Sequence, residues 1–72
     1  MLEIKKAIIA DEIFSRADIS AYWAIVEGVK EKCIAYHGLT PPLKEGDQVL
    51  LNTTAVSLKL GTGGYHFVLA NL

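Results

Sequence analysis

Residues 50–68 contain the groups in this 72-residue sequence with the most potential for chemistry: hydroxyls, glycines and a histidine between two apolar runs. Backbone N–H groups in a glycine-rich turn can form a concavity that binds an anion such as phosphate. We therefore select a candidate ligand-binding or interface loop, made of Asn52, Thr53, Thr54, Gly61, Thr62, Gly63, Gly64 and His66. Phosphate-binding fingerprints place such glycines before a helix, whereas Tyr65–Val68 is typical of a strand. The pattern favours a turn that needs positive φ.

His66 also enters two other hypotheses, one catalytic and one metal-binding. As a general base it would need a nucleophile, such as one of the hydroxyls that precede it, and an orienting acid, for which Asp47 is near in sequence. As a metal ligand it would need Cys33 and His37, but these three residues lack the close-spaced ligand pairs of structural zinc sites. We therefore predict no catalytic residue, no metal site and no cofactor.

Four aromatic residues invite comparison with base-stacking surfaces of oligonucleotide-binding barrels: Tyr22, Trp23, Tyr36 and Phe67. Such surfaces need flanking basic residues, and the sequence has seven Lys and Arg against eight Asp and Glu. Core packing of these rings is the favoured interpretation. We expect no nucleic-acid partner.

The single cysteine and the distribution of apolar residues bear on the cellular compartment. Cys33 cannot form a disulfide within the chain, which is typical of a reducing environment. Apolar runs stay well below the roughly 18 residues of a spanning helix, and Glu3, Lys5 and Lys6 do not suit a signal peptide. The sequence predicts a cytoplasmic protein without a membrane partner.

The elements that must position the candidate loop are five strand-like segments. These are predicted at residues 2–10, 19–27, 31–36, 48–53 and 65–71, with a loop or bulge at 11–18, a turn at 28–30 and a loop at 37–47. The second segment is apolar on both faces, which indicates a central strand. A short extended or helical piece is predicted near Val56, Leu58 and Leu60. The pattern predicts an all-β fold, a small five-stranded antiparallel barrel or sandwich.

Size and hydrophobicity indicate that residues 1–72 form a single domain. They also indicate that this domain associates with another protein surface. A chain of this length buries only about 60% of its unfolded surface, yet 51% of its residues are hydrophobic. We expect some apolar surface to face a neighbour, either a second copy or the rest of a longer chain. The last strand continues directly to Leu72, which is typical of a domain cut from a longer protein.

Sequence resemblance gives a family and no reaction. The stretch Leu50–Val56, followed by Leu58, Leu60 and Gly61–Val68, resembles the N-terminal region of an uncharacterised bacterial family, domain of unknown function 3866. Residues 44–49 fit the same pattern. The resemblance implies that the natural chain continues well beyond Leu72, and it implies no catalytic residue.

Two classes of function remain. The leading hypothesis is a non-catalytic barrel, an interaction or assembly module that docks on, or helps to oligomerise, the larger protein it starts. The alternative is an accessory domain of an enzyme, with the loop from Gly61 to His66 bordering an active site completed by the missing portion. Whether the protein has enzymatic activity stays open at this point.

Overall fold

A computed structural model shows that the chain forms a closed barrel of five strands, and it describes residues 2–57 and 63–72. The elements are β1 (Ile4–Ser15), β2 (Ile19–Val26), β3 (Val29–Tyr36), β4 (Gln48–Asn52), the single-turn helix α1 (Thr54–Ser57) and β5 (Tyr65–Asn71). Around the barrel the order is β1-β2-β3-β5-β4, and β4 pairs with β1 to close the ring. The predicted all-β barrel is confirmed.

The prediction of a purely antiparallel barrel is wrong at one seam. Strands β3 and β5 are parallel, with Lys32 opposite Tyr65 and Ile34 opposite Phe67, while the other four seams are antiparallel. Strand directions that alternate around a ring return to their start only when the number of strands is even. A closed barrel of five strands therefore needs at least one parallel seam, and the chain places it where β5 inserts between β3 and β4.

Strand β1 is longer than predicted, because residues 11–15 extend it through bulges, the second of the two structures predicted for this segment. Its register with β2 shifts between Ile9 and Asp11 and again between Glu12 and Phe14. Bulges of this kind bend a strand and interrupt its alternation of buried and exposed side chains. They let one strand pair with β4 through residues 4–8 and with β2 through residues 8–15. The same interruption is the reason why the sequence predicted a loop or bulge at residues 11–18.

The β2–β3 hairpin turns at Glu27 and Gly28, one residue earlier than the predicted turn at 28–30. Both residues have positive φ, 51° and 80°, as a two-residue type I′ turn requires. Val26 consequently pairs with Val29. The predicted strand at 65–71 matches β5 in both bounds.

The barrel interior is lined mainly by small and branched apolar side chains, and its largest buried residue is Tyr22. The core comprises Ala7, Ile9, Tyr22, Ala24, Val26, Cys33, Ala35, Leu43, Val49, Leu51 and Val68. Burial raises the pKa of the Cys33 thiol to about 12, although a backbone hydrogen bond from Tyr22 opposes this. Cys33 is therefore a protonated core residue at neutral pH.

Residues 37–47 close one end of the barrel, which we call the loop end. Leu43 enters the core, and its backbone N–H donates to the Tyr22 hydroxyl at 3.2 Å. The turn at 44–47 is fixed to β1, since Ile9 N donates to Asp47 O at 2.9 Å and Gly46 N donates to Ile9 O at 2.8 Å. Backbone and apolar contacts together hold this end shut.

Candidate functional site

The opposite end of the barrel, which we call the polar end, lies where β1 begins, β4 ends and β5 begins. There the Thr53 hydroxyl donates to the Glu3 carboxylate at 2.6 Å, and Thr53 N donates to Glu3 O at 2.9 Å. Glu3 N donates in turn to the Thr54 hydroxyl oxygen at 2.8 Å. Asn52 Oδ1 accepts from Thr54 N at 3.0 Å, a side-chain turn that starts α1. These contacts join the start of the chain to the end of β4.

His66 lies on the inner side of β5 and is only 4% exposed. Its Nε2 is hydrogen-bonded to Oε1 of Glu31, and its Nδ1 has no hydrogen-bond partner among the described residues. An ionised carboxylate can only accept, so Nε2 carries the proton in the neutral ring and Nδ1 presents a lone pair. In this neutral tautomer, the pair leaves one buried acceptor, His66 Nδ1, without a described donor at the polar end.

A cavity of about 220 Å³ opens beside this pair, lined by Glu3, Lys5, Glu31, Thr53, Val56 and His66. Lys5 Nζ lies 2.6 Å from Oε1 of Glu27 and 3.9 Å from Oε1 of Glu3. The hydrogen bond to Glu27 raises the pKa of the Lys5 ammonium, and the charges of Glu27, Glu3 and Glu31 add to that effect. Among the described residues, three carboxylates therefore act on the ammonium of Lys5.

Two members of the predicted loop, Thr53 and His66, share this cavity. Asn52 and Thr54 make the local contacts that start α1, beside it. Gly61 and Thr62 lie outside the described residues.

Gly63 and Gly64 have φ of 69° and 80°, as the turn interpretation requires. The Gly63 carbonyl accepts a hydrogen bond from Lys32 Nζ at 3.2 Å. A lysine donating to a carbonyl stabilises the turn itself, and the geometry of these two residues agrees with a structural role.

Two residues named in the catalytic and metal-binding hypotheses, Asp47 and His37, lie away from His66. The carboxylate that meets His66 is Glu31, whereas Asp47 accepts from Lys44 N at the loop end. His37 also lies at the loop end, where its Nε2 is 2.6 Å from the Ser20 hydroxyl. Among residues 2–57 and 63–72, no group of three potential ligands is placed to hold a metal ion.

Sequence reasoning missed Glu31 and Glu3, which supply the carboxylates of the cavity. For Glu31 a signal was available: it shares a strand face with Cys33 and Ala35, both fully buried. A charged residue in line with two core positions indicates a strand end that faces a cavity or an ion pair. Glu3 gave no such signal, because its contact with Thr53 spans 50 positions.

A second surface of interest lies on the outside of β1, β2, β3 and β5. The register aligns Phe14, Ala21, Ile34 and Phe67 in one row across the strands, and Trp23, Lys32 and Tyr65 in the next. Phe67 of the first row also stacks with Tyr36, which lies outside that row, and their ring centroids are 6.3 Å apart. We call this surface the aromatic face and define it by its large side chains: Phe14, Trp23, Ile34, Tyr36, Tyr65 and Phe67.

Basic side chains cover several rings of the aromatic face. Lys30 Nζ lies 5.4 Å from the centroid of Trp23, and Lys32 Nζ lies 4.7 Å from that of Tyr65. The predicted core packing is right for Tyr22, but Tyr36 is 44% exposed, and Trp23 and Phe67 are half-buried on the outer surface. For Trp23 the prediction failed because both faces of β2 are apolar enough to be taken for core.

In the described part of the chain, no helix is long and apolar enough to cross a membrane. Residues 32–72 match a family described as a protein of unknown function, DUF3866. No curated protein and no solved structure matches the chain. The matched region contains Thr53, His66 and the parallel seam, whereas Glu3 and Glu31 lie before it.

Proposed function

Since the chain belongs to the DUF3866 family, which has no assigned activity, we propose from its geometry that it is a non-catalytic interaction module that docks through the aromatic face. We place this module at the N-terminal part of a larger bacterial protein of the cytoplasm. The single buried cysteine suits such a reducing compartment.

The observation that carries the proposal is the continuity of the aromatic face across four strands. Protein interfaces are enriched in Tyr, Trp and Phe at their centres, where large rigid rings bury area at little entropic cost. Tyr36 and Phe67 stack on the outer surface instead of entering the core, and Tyr36 remains 44% exposed. Rings placed in this way gain their full burial only against a partner.

The partner we propose is a second copy of the chain. Ten large hydrophobic side chains of the described residues are at least one-third exposed, among them Ile8, Ile25, Tyr36 and Leu69. The closed ring favours side-chain packing over strand addition, because the backbone groups along each seam are already paired. Two identical apolar faces can pack around a two-fold axis, which is the commonest arrangement of soluble oligomers.

Sedimentation equilibrium of the 72-residue chain at tens of micromolar, a range in which weak interfaces populate, tests the proposal. We expect a dimer, and we expect Tyr36→Glu to convert it to monomer by burying a charge in the interface. Leu39→Glu is the matched control, since Leu39 is 80% exposed and lies in the 37–47 loop. A folded wild-type monomer throughout this range would instead favour the remainder of a longer chain as the partner of this face.

A further inference from the structure

We propose that the polar end binds a protonated primary amine, an alkylammonium group presented by a small molecule or by a lysine side chain. This site is separate from the aromatic face and does not depend on the docking function. Its binding groups are the carboxylates of Glu3 and Glu31 and the unpartnered Nδ1 of His66.

The first argument is the surplus of hydrogen-bond acceptors around the cavity. Glu31 receives one hydrogen bond from His66 Nε2, and Glu3 receives one from the Thr53 hydroxyl, which leaves further lone pairs on both carboxylates. His66 Nδ1, which is an acceptor in the neutral ring, has no partner in the described structure, although His66 is only 4% exposed and lines the cavity. A ligand that supplies several N–H donors would satisfy these groups.

The second argument is charge. Among the described residues, the carboxylates of Glu3, Glu27 and Glu31 act on the ammonium of Lys5, so these four side chains together carry two negative charges in excess. Lys5 is already engaged, since its Nζ lies 2.6 Å from the Glu27 carboxylate. A cation is therefore the complementary ligand, and a phosphate or carboxylate ligand would be repelled.

The third argument is size and shape. A volume of about 220 Å³ is smaller than the usual site for a drug-sized molecule, which takes roughly 300–1,000 Å³. It suits a head group with a short alkyl stem, for which Val56 offers an apolar wall. A primary ammonium has three N–H donors, enough to reach both carboxylates and the imidazole nitrogen.

Nuclear magnetic resonance titration of the wild-type chain with n-butylammonium chloride tests the site, observing the Nδ1 resonance of His66. We expect a saturable shift with a Kd of about 1–10 mM, the range for one small group with a few polar contacts. Tetramethylammonium has the same charge and no N–H donor, and butyrate has the opposite charge; neither should shift the resonance. Equal binding of tetramethylammonium, or no saturable response to butylammonium, would overturn the proposal. This test uses the wild-type chain alone.

Substitution of one acceptor provides the second arm of the experiment. Glu31→Gln should weaken butylammonium binding at least tenfold, while Glu45→Gln, which removes an exposed carboxylate at the loop end, should leave binding unchanged. Equal weakening by both variants would show general charge attraction and would contradict a specific site. A blocked lysine-containing tripeptide, tested in parallel, identifies the source of the amine: binding assigns the site to protein ligands, and exclusion assigns it to free amines.

Discussion

The two ends of the barrel differ in the side chains that separate the interior from solvent. At the loop end, Leu43 enters the core and its backbone N–H donates to the Tyr22 hydroxyl, and the buried group without a partner there, among the described residues, is the neutral hydroxyl of Thr40. At the polar end, Glu3, Glu31 and His66 surround a cavity with charged groups and an unsatisfied nitrogen. We infer from this difference that the loop end contributes most to stability. The polar end retains groups whose hydrogen bonds a ligand would complete.

Of the substitutions that test this comparison, Leu43→Ala should reduce stability the most. Removing a buried leucine side chain leaves a cavity in the core, so the free energy of unfolding should fall by about 2–4 kcal/mol. Val56→Ala at the polar end should cost less than about 1 kcal/mol, because Val56 is only partly buried. Urea denaturation of both variants measures the two losses. Equal losses would refute the assignment of stability to the loop end.

The ionisation of Cys33 gives a second test of the comparison between the two ends. The pH dependence of stability reports whether water reaches the interior from the polar end. The folded thiol has its pKa raised from 9.0 to about 12 by burial. Between these values the unfolded chain releases a proton that the folded chain keeps, so stability should be full below pH 9 and decline as the pH rises. At about pH 10 the loss should be about 1 kcal/mol relative to neutral pH.

The measurement is urea denaturation of the wild-type chain and of Cys33→Ala at neutral and alkaline pH. The variant lacks the thiol, so the difference between the two pH dependences isolates Cys33 from lysines and tyrosines. Parallel curves for the two proteins would mean that water already solvates the thiol in the folded barrel.

The smallest effect is expected from backbone strain in the turn at the polar end. Gly64 has φ of 80° and its nearest contact for an added Cβ is Lys32 Cε at 3.9 Å, so Gly64→Ala should cost about 1 kcal/mol through conformation alone. Gly38→Ala is the matched control at the loop end, where a Cβ meets nothing within 4 Å and φ is not positive. Inorganic phosphate should not restore the thermal midpoint of Gly64→Ala. Unchanged stability with loss of a phosphate-dependent rise would revive the anion-binding hypothesis for this turn.

The sequence was informative where local chemistry decides the structure. Strand β5 was predicted in both bounds because glycines precede it and a continuous apolar run fills it, and the turn at 44–47 followed from Gly46, whose φ is 90°. Strand β1 was predicted only in part, since its bulges depend on having two different partners. Such irregularities depend on tertiary pairing and leave little trace in periodicity.

Only the hydroxyl and imidazole groups of the candidate site were predictable from the sequence. Thr53 and His66 attracted attention as hydroxyl and imidazole groups near glycines, and both do line the cavity. Their carboxylate partners, Glu3 and Glu31, are 50 and 35 positions away in sequence. Only the register of the closed barrel brings them together, and the parallel seam between β3 and β5 sets that register for His66.

The pairing of β1 with β4 has a consequence for how the barrel forms in time. Hairpins β1–β2 and β2–β3 join neighbours in sequence, whereas Ile4 must find Asn52 and Ile8 must find Gln48. Loop-closure entropy makes such distant contacts late events, so the three-stranded meander should form first and ring closure should limit the folding rate. The polar cavity is assembled by that final step. A ligand bound in the cavity would therefore slow the opening of the barrel and leave the rate of folding unchanged.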